Sequence, residues 1–248
     1  MIEDIYIDIN SDVGEGFNNE EALMPLLSSC NIACGAHAGD NQTITRVAKL
    51  AKINNVKVGA HPSYPDRINF GRKSLNLTSN ELISSVKEQM ETFSSLIKEQ
   101  NIKLHHIKPH GALYNDMLNN VGLTTIFLKA IESYKENVYL FAPYGSVFAN
   151  VAHKNKFSVI LEAFADRNYN DDLSLVSRKD AKALINKPSL VLKHIISIVK
   201  EKRIETYKGV KVPIEAKTFC IHSDTPNALE ILVYLTDQLP NNNIYINK

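Results

Sequence analysis

Seven times along the chain a short run rich in β-branched and aromatic residues ends in a knot of Gly, Asp, His or Pro. The runs are "DIYIDINSDVGEG", "CNIACGAHAGD", "VKVGAHPSYPDR", "LHHIKPHGALY", "VYLFAPYGS", "FSVILEAFADRNY" and "KTFCIHSDTPNA". Helical segments lie between them. The clearest, residues 78–101, opens Thr78-x-x-Glu81, the pattern of a capping box. Such alternation predicts strands joined by crossover helices around a parallel sheet. Seven strands in 248 residues predict one α/β domain over residues 1–248, an irregular seven-stranded (β/α) barrel rather than two domains. No linker, repeat or low-complexity stretch interrupts it. The Lys/Glu-rich segment 200–212 reads as a solvated excursion before the last strand.

Strand parity separates the two faces. In "IYIDINSD" Ile5, Ile7 and Ile9 share one face, and Tyr6, Asp8, Asn10 and Asp12 the other, because strand side chains alternate with period two. In a barrel the apolar face packs on the outer helices and the carboxylates point inward. The split recurs at His106, Lys108 and His110, at Glu162 and Asp166, and at His222 and Asp224. The competing reading is the solvent face of an antiparallel sheet, where lysine and glutamate would dominate. Parallel sheets are covered on both faces, which favours the inward placement.

Charge excludes some partners. Lysine and arginine total 28 against 27 acidic residues, so there is no basic surplus for nucleic acid or an anionic membrane. No run approaches the ~20 apolar residues of a membrane span. The acidic start "MIEDIYIDIN" lacks the form of a signal peptide. Three cysteines, Cys30, Cys34 and Cys220, are an odd number in a chain too long to need disulfide staples. Together these features point to the cytoplasm.

Loops after barrel strands form the active-site end of such folds. Here that end collects Asp12, Glu15, His37, Asp40, His61, Asp66, Arg67, Lys108, His110, Asp166, Arg167, His222 and Asp224. Buried charges are costly unless paired, so such a ring marks a site, although simple loop salt bridges would also account for several members. Lys108 either pairs structurally with inward carboxylates or holds a substrate carboxylate or oxyanion. Arg167 has the same two readings. Asp12, His61 and His110, at the ends of three strands, offer a weakly specified set of ligands for a divalent metal. Cys34 sits among small apolar residues and reads as packing rather than as a nucleophile. No G-x-x-x-x-G-K-[ST] segment occurs, which excludes a P-loop.

Eight segments in order, "DINSDVGEGF", "NIACGAHAGD", "VGAHPSYPDR", "NFGRK", "KPHGALYN", "EAFADRNY", "LVSR" and "HSDTPNA", resemble the LamB/YcsF family. The resemblance implies a barrel like that of the glycoside hydrolase/deacetylase group. It also implies an ATP-dependent 5-oxoprolinase reaction, in which 5-oxo-L-proline, ATP and water give L-glutamate, ADP and phosphate. The ATP site would be completed by companion subunits B and C. The chain departs from the usual family pattern at Asn69, at Ser223 and at Asp172, positions where glycine is common.

Within that frame the expected catalytic residues are Asp12, Glu15, His37, Lys108, His110, Asp166 and His222, with Asp12 or His110 as general base. The expected substrate contacts are Asn10, His61, Arg67, Arg72, Tyr114, Glu162, Arg167 and Asp224. Two other readings stay open: a stand-alone metal-dependent amidase or carbohydrate deacetylase, and a non-catalytic subunit that presents 5-oxoproline to its partners.

Overall fold

The computed structural model describes residues 4–248. Six strands run parallel in sequence order: β1 (Ile5–Val13), β2 (Ser29–Ala33), β3 (Lys57–His61), β4 (Leu104–Ile107), β5 (Tyr139–Pro143) and β6 (Ser158–Phe164). Two three-residue strands, β7 (Arg203–Glu205) and β8 (Lys211–Pro213), form a separate antiparallel hairpin. Then β9 (Thr218–Cys220) pairs with both β6 and β1, closing a barrel of seven parallel strands. A last strand, β10 (Ile244–Ile246), adds to the first residues of β1, with Ile5 opposite Ile244.

The helices are α1 (Glu20–Leu23), α2 (Asn41–Ile53), α3 (Ser79–Glu99), α4 (Gly111–Asp116), α5 (Val121–Ala130), α6 (Val147–Lys154), α7 (Pro188–Ile196) and α8 (Ala228–Gln238). Side-chain caps fix where several begin. Thr78 and Glu81 form the expected reciprocal box on α3, while Asp40, Asn120 and Ser146 cap α2, α5 and α6. Their buried faces, such as Val86, Met90 and Phe93 of α3, join Ile7 and Ile9 of β1 in one hydrophobic core. The inward residues of β1 instead bond inside the barrel: Asp8 and Asn10 to Thr218 of the neighbouring β9, and Asp12 to Lys108 from the end of β4.

Below the mouth the interior is plugged. The His106 ring stacks on Phe141 at 3.9 Å and donates from Nε2 to Asn31 Oδ1 at 2.6 Å. It lies so close to β3 that a Cβ on Gly59 would fall 2.1 Å from His106 Nε2. Glycine is therefore required there, and the β3–β4 register slips at that residue.

The segment 200–212 is more ordered than its charge suggests. It supplies all but the last residue of the β7–β8 hairpin, whose Ile204 is fully buried while the flanking Arg203 and Glu205 face outward. Among the described residues no helix is long and apolar enough to cross a membrane.

Candidate active site

The C-terminal ends of the barrel strands open into a cavity of about 630 Å³. On its floor, Lys108 extends from the end of β4 into the barrel axis, where only 1% of the residue is exposed. Its Nζ lies 3.0 Å from Asp12 Oδ1 and 3.0 Å from Glu162 Oε1, and donates to Cys220 Sγ at 3.1 Å. Burial works against this charge. The adjacent Asp12, Cys220 and Glu162 outweigh burial and hold the Lys108 ammonium well above the ordinary lysine range. Burial likewise opposes ionisation of Asp12, but His61 and Lys108 keep its carboxyl well below the usual range.

Neutral groups fix the two carboxylates. Asn31 donates to Asp12 Oδ1 and to Asn10 Oδ1, both at 2.7 Å. Glu162 accepts from Asn10 at 3.0 Å and from the Tyr114 hydroxyl at 2.6 Å. Both carboxylates that face this lysine are thus aimed before any ligand arrives, which is the condition for electrostatic preorganisation.

Beside the lysine lies a cluster of three histidines. His61 Nδ1–H donates to the Lys108 carbonyl at 2.6 Å, and His110 Nε2–H donates to the Phe70 carbonyl at 2.9 Å. The other nitrogens, His61 Nε2 and His110 Nδ1, face each other at 3.0 Å. Glu15 Oε1 stands 3.3 Å from His110 Nδ1 and 3.9 Å from His61 Nε2. His37 stacks parallel on His110 at 3.7 Å and reaches Glu15 through Nε2 at 3.0 Å, with Ser63 Oγ 2.9 Å from its Nδ1. Burial, reinforced by neighbouring histidines, holds His37 and His110 well below the ordinary imidazole value, so both rings are neutral at pH 7. Burial raises the Glu15 carboxyl.

Loop packing sets this geometry. Gly111 has φ +56, and a Cβ there would fall 2.6 Å from the Gly71 carbonyl oxygen. That contact lets the loop carrying Phe70 lie over His110 and accept its proton. Gln89 of α3 clasps Ser63 through both its backbone N–H and its carbonyl, at 2.9 Å each.

On the opposite wall Asp166 is fully buried, accepting from the His222 backbone N–H at 2.8 Å, from Thr225 Oγ1 at 2.5 Å and from His222 Nδ1 at 3.0 Å. Burial opposes its charge, but His222 and Thr225 overcome this and lower its pKa. Asp166 therefore orients His222, whose ring stacks on Phe164 and borders the cavity. At the rim Asp224 accepts from Arg72 at 2.7 Å and from Arg178 at 2.9 Å. Two guanidiniums share one carboxylate, which leaves the rim with a net positive charge.

Several expected contacts lie elsewhere. Arg67 is an exposed residue that donates to the Gly39 carbonyl and does not line the cavity. Asp40 is the N-cap of α2 rather than a mouth residue, and Asp66 accepts from Asn69 within its own turn. Arg167 borders the cavity, yet it donates to the Val176 and Ala183 carbonyls and so holds a loop in place. Asp12 gives Oδ1 to Lys108 and Asn31 and holds Oδ2 3.4 Å from His61 Nε2, but the donor atoms that converge with those of both His61 and His110, all within 4.8 Å of one another, belong to Glu15 and His37. Cys34 is packed as expected, and burial pushes its thiol up to about 12. Several residues of the site stand outside the expected set, among them Asn31, Cys220, Thr225 and Arg178. Asn31 shares strand parity with Ser29 and is open to the same argument, whereas Arg178 lies in a loop where only its "LVSR" motif marks it.

A closed parallel barrel with preorganised ionisable groups at its C-terminal mouth defines a (β/α)-barrel protein built like an enzyme. The LamB/YcsF family profile matches residues 7–248, and the chain belongs to that family. Relatives that carry the name of the A subunit of 5-oxoprolinase include one from Acinetobacter baumannii (strain ACICU), 38% identical over 98% of this chain and 97% of its own. Another, from Thermococcus sibiricus, is 38% identical over 97% of this chain and 96% of its own. The crystal structure of a lactam utilization protein from Thermus thermophilus superposes with a TM-score of 0.89 at 32% identity, covering 98% of this chain and 99% of that one.

Proposed function

We propose that the chain is the lactam-opening subunit of a cytoplasmic ATP-dependent 5-oxoprolinase, working with companion subunits B and C. The observation that carries this reading is buried Lys108, clasped between Asp12 and Glu162 beneath a cationic rim. A small cyclic amide bearing one carboxylate matches that arrangement. The rim attracts the carboxylate, and the polar floor receives the ring. The names of the full-length relatives support the same substrate. Three buried free cysteines fit a reducing compartment.

Opening an unstrained lactam is hard, because the amide is resonance-stabilised and the released amine is held close for reclosure. ATP coupling removes that obstacle. Transfer of the γ-phosphoryl group to the amide oxygen, with ADP released, activates the ring carbon. One water then adds, the C–N bond breaks and nitrogen takes a proton, leaving an acyl phosphate. A second water releases phosphate and L-glutamate. In this scheme Asp12 is the base for the attacking water, Lys108 covers developing oxyanion charge, and His222, oriented by Asp166, delivers the proton to the leaving nitrogen.

The test is reconstitution with subunits B and C, measuring glutamate and ADP formed from 5-oxoproline. Activity should require this chain and fall by about 10³-fold with Lys108→Ala, the scale of losing one preorganised charge. Full activity without the chain would refute the proposal. Turnover without ATP would replace it with a stand-alone amidase. Unchanged activity in Asp12→Asn, Lys108→Ala and His110→Ala would leave only a substrate-presenting role.

A further inference from the structure

Hydrogen bonding outside the histidine cluster dictates what lies inside it. A backbone carbonyl only accepts, so the Lys108 and Phe70 carbonyls fix the protons of His61 on Nδ1 and of His110 on Nε2. Both remaining nitrogens carry lone pairs, and these face each other at 3.0 Å. Two acceptors do not hydrogen-bond, so their approach requires a positive charge between them. Two carboxylates border the pair: Glu15 Oε1 reaches both, 3.3 Å from His110 Nδ1 and 3.9 Å from His61 Nε2, while Asp12 Oδ2 lies 3.4 Å from His61 Nε2 alone.

We propose that Glu15 Oε1, His61 Nε2 and His110 Nδ1 form a binding site for a divalent first-row cation of the zinc or cobalt class. The spacing agrees with that chemistry. Ligands at 2.0–2.1 Å from a tetrahedral ion stand about 3.4 Å apart, and the three separations, 3.0, 3.3 and 3.9 Å, bracket that value. Two imidazoles and one carboxylate suit zinc, cobalt and their neighbours rather than calcium or magnesium. The backbone carbonyls behind His61 and His110 are the partners that orient metal-binding histidines. His37 plays a different part. Its ring lies parallel to that of His110, so its Nε2 cannot share His110's in-plane approach to the ion, and it instead holds Glu15 in place as a positioning residue. All three ligands border the cavity, so the remaining coordination position faces the mouth.

Metal binding is measured directly on the full chain, without ATP, partners or lactam, so its outcome is separate from that of the proposed reaction. The chain is stripped with a chelator and titrated with Co²⁺, then with Zn²⁺ in competition. The expected result is one equivalent bound, with the visible d–d absorption of a low-coordinate Co²⁺ centre that Zn²⁺ displaces. Glu15→Gln, His61→Ala and His110→Ala should each weaken binding at least about 100-fold, and His37→Asn by roughly 10- to 100-fold. His153→Ala, on the outer helix α6, should bind as the unaltered chain does. Failure of the unaltered chain to take up either ion would overturn the proposal and assign the pair a shared proton. Undiminished binding in both His61→Ala and His110→Ala would place the ion elsewhere and overturn it equally.

Discussion

Replacing Lys108 with methionine keeps most of the unbranched side chain and deletes its charge, leaving Asp12 and Glu162 facing each other across the barrel axis. Each carboxylate oxygen lies 3.0 Å from Nζ, so the two are within about 6 Å, where two like charges repel by about 3 kcal/mol at an effective dielectric of 20. Breaking a buried ion pair costs about 3–5 kcal/mol, which agrees. For a chain of this size the loss corresponds to a fall in Tm of roughly 6–20 °C. The pH dependence has a definite sign. In the native chain Asp12 has a depressed pKa, so the stability it contributes is present above the unfolded-state value and is lost as pH falls through the folded one. In the variant, an unpaired carboxylate has a raised pKa, and its penalty is relieved as pH falls through that value. The stability gap should therefore be largest at pH 7 and narrow at about pH 5. Denaturant unfolding followed by circular dichroism measures this. Adding Glu162→Gln to Lys108→Met should restore part of the loss. If the single variant stays within about 1 kcal/mol of the native chain at pH 7, or the double variant is no better than the single, the buried triad does not carry the charges assigned to it.

Gly59→Ala should destabilise by about 2 kcal/mol or more, because its Cβ meets a His106 ring that Asn31 and Phe141 hold from two sides; equal unfolding midpoints would show that the ring moves freely. Asp166→Asn should leave the fold intact and lower kcat of the reconstituted enzyme about 100-fold, whereas unchanged kcat would remove His222 from the proton transfer. Arg178→Ala should raise KM for 5-oxoproline about tenfold with little effect on kcat, since it removes rim charge far from the floor; an equal fall in kcat would place it at the reacting bond. All three cysteines should resist iodoacetamide at pH 8 until the chain unfolds, with Cys34 pushed up to about 12 by burial; rapid native labelling of Cys34, read by mass spectrometry, would contradict its packing.

The barrel is legible in the sequence because a covered parallel strand must sort its residues by parity. Ile7 and Ile9 against Asp8, Asn10 and Asp12 already separate core from interior, and the same rule places His106, Lys108 and Glu162. Parity fades within a residue or so of the strand end, as at Lys108 just after β4. Beyond it, an aspartate in a loop serves equally as a site group or as a cap, which is why Asp40 and Asp66 group with Asp12 in the sequence although each accepts from its own turn. Arg67 and Arg167 mislead for a related reason: a guanidinium also satisfies backbone carbonyls, and nothing local in the sequence tells the two uses apart. The β7–β8 hairpin escapes notice because its strands are three residues long and bury a single isoleucine on a charged background.

The His106 plug beneath the cavity has a consequence for traffic. With Phe141 and Asn31 locking that ring across the barrel, the floor of the pocket is sealed, and the mouth serves as both entrance and exit. Whatever is consumed in this pocket and whatever is made there use the same doorway in turn. A companion chain seated over the mouth would therefore act as its door, and the lifetime of that contact would set a ceiling on turnover however fast the bond-breaking beneath it.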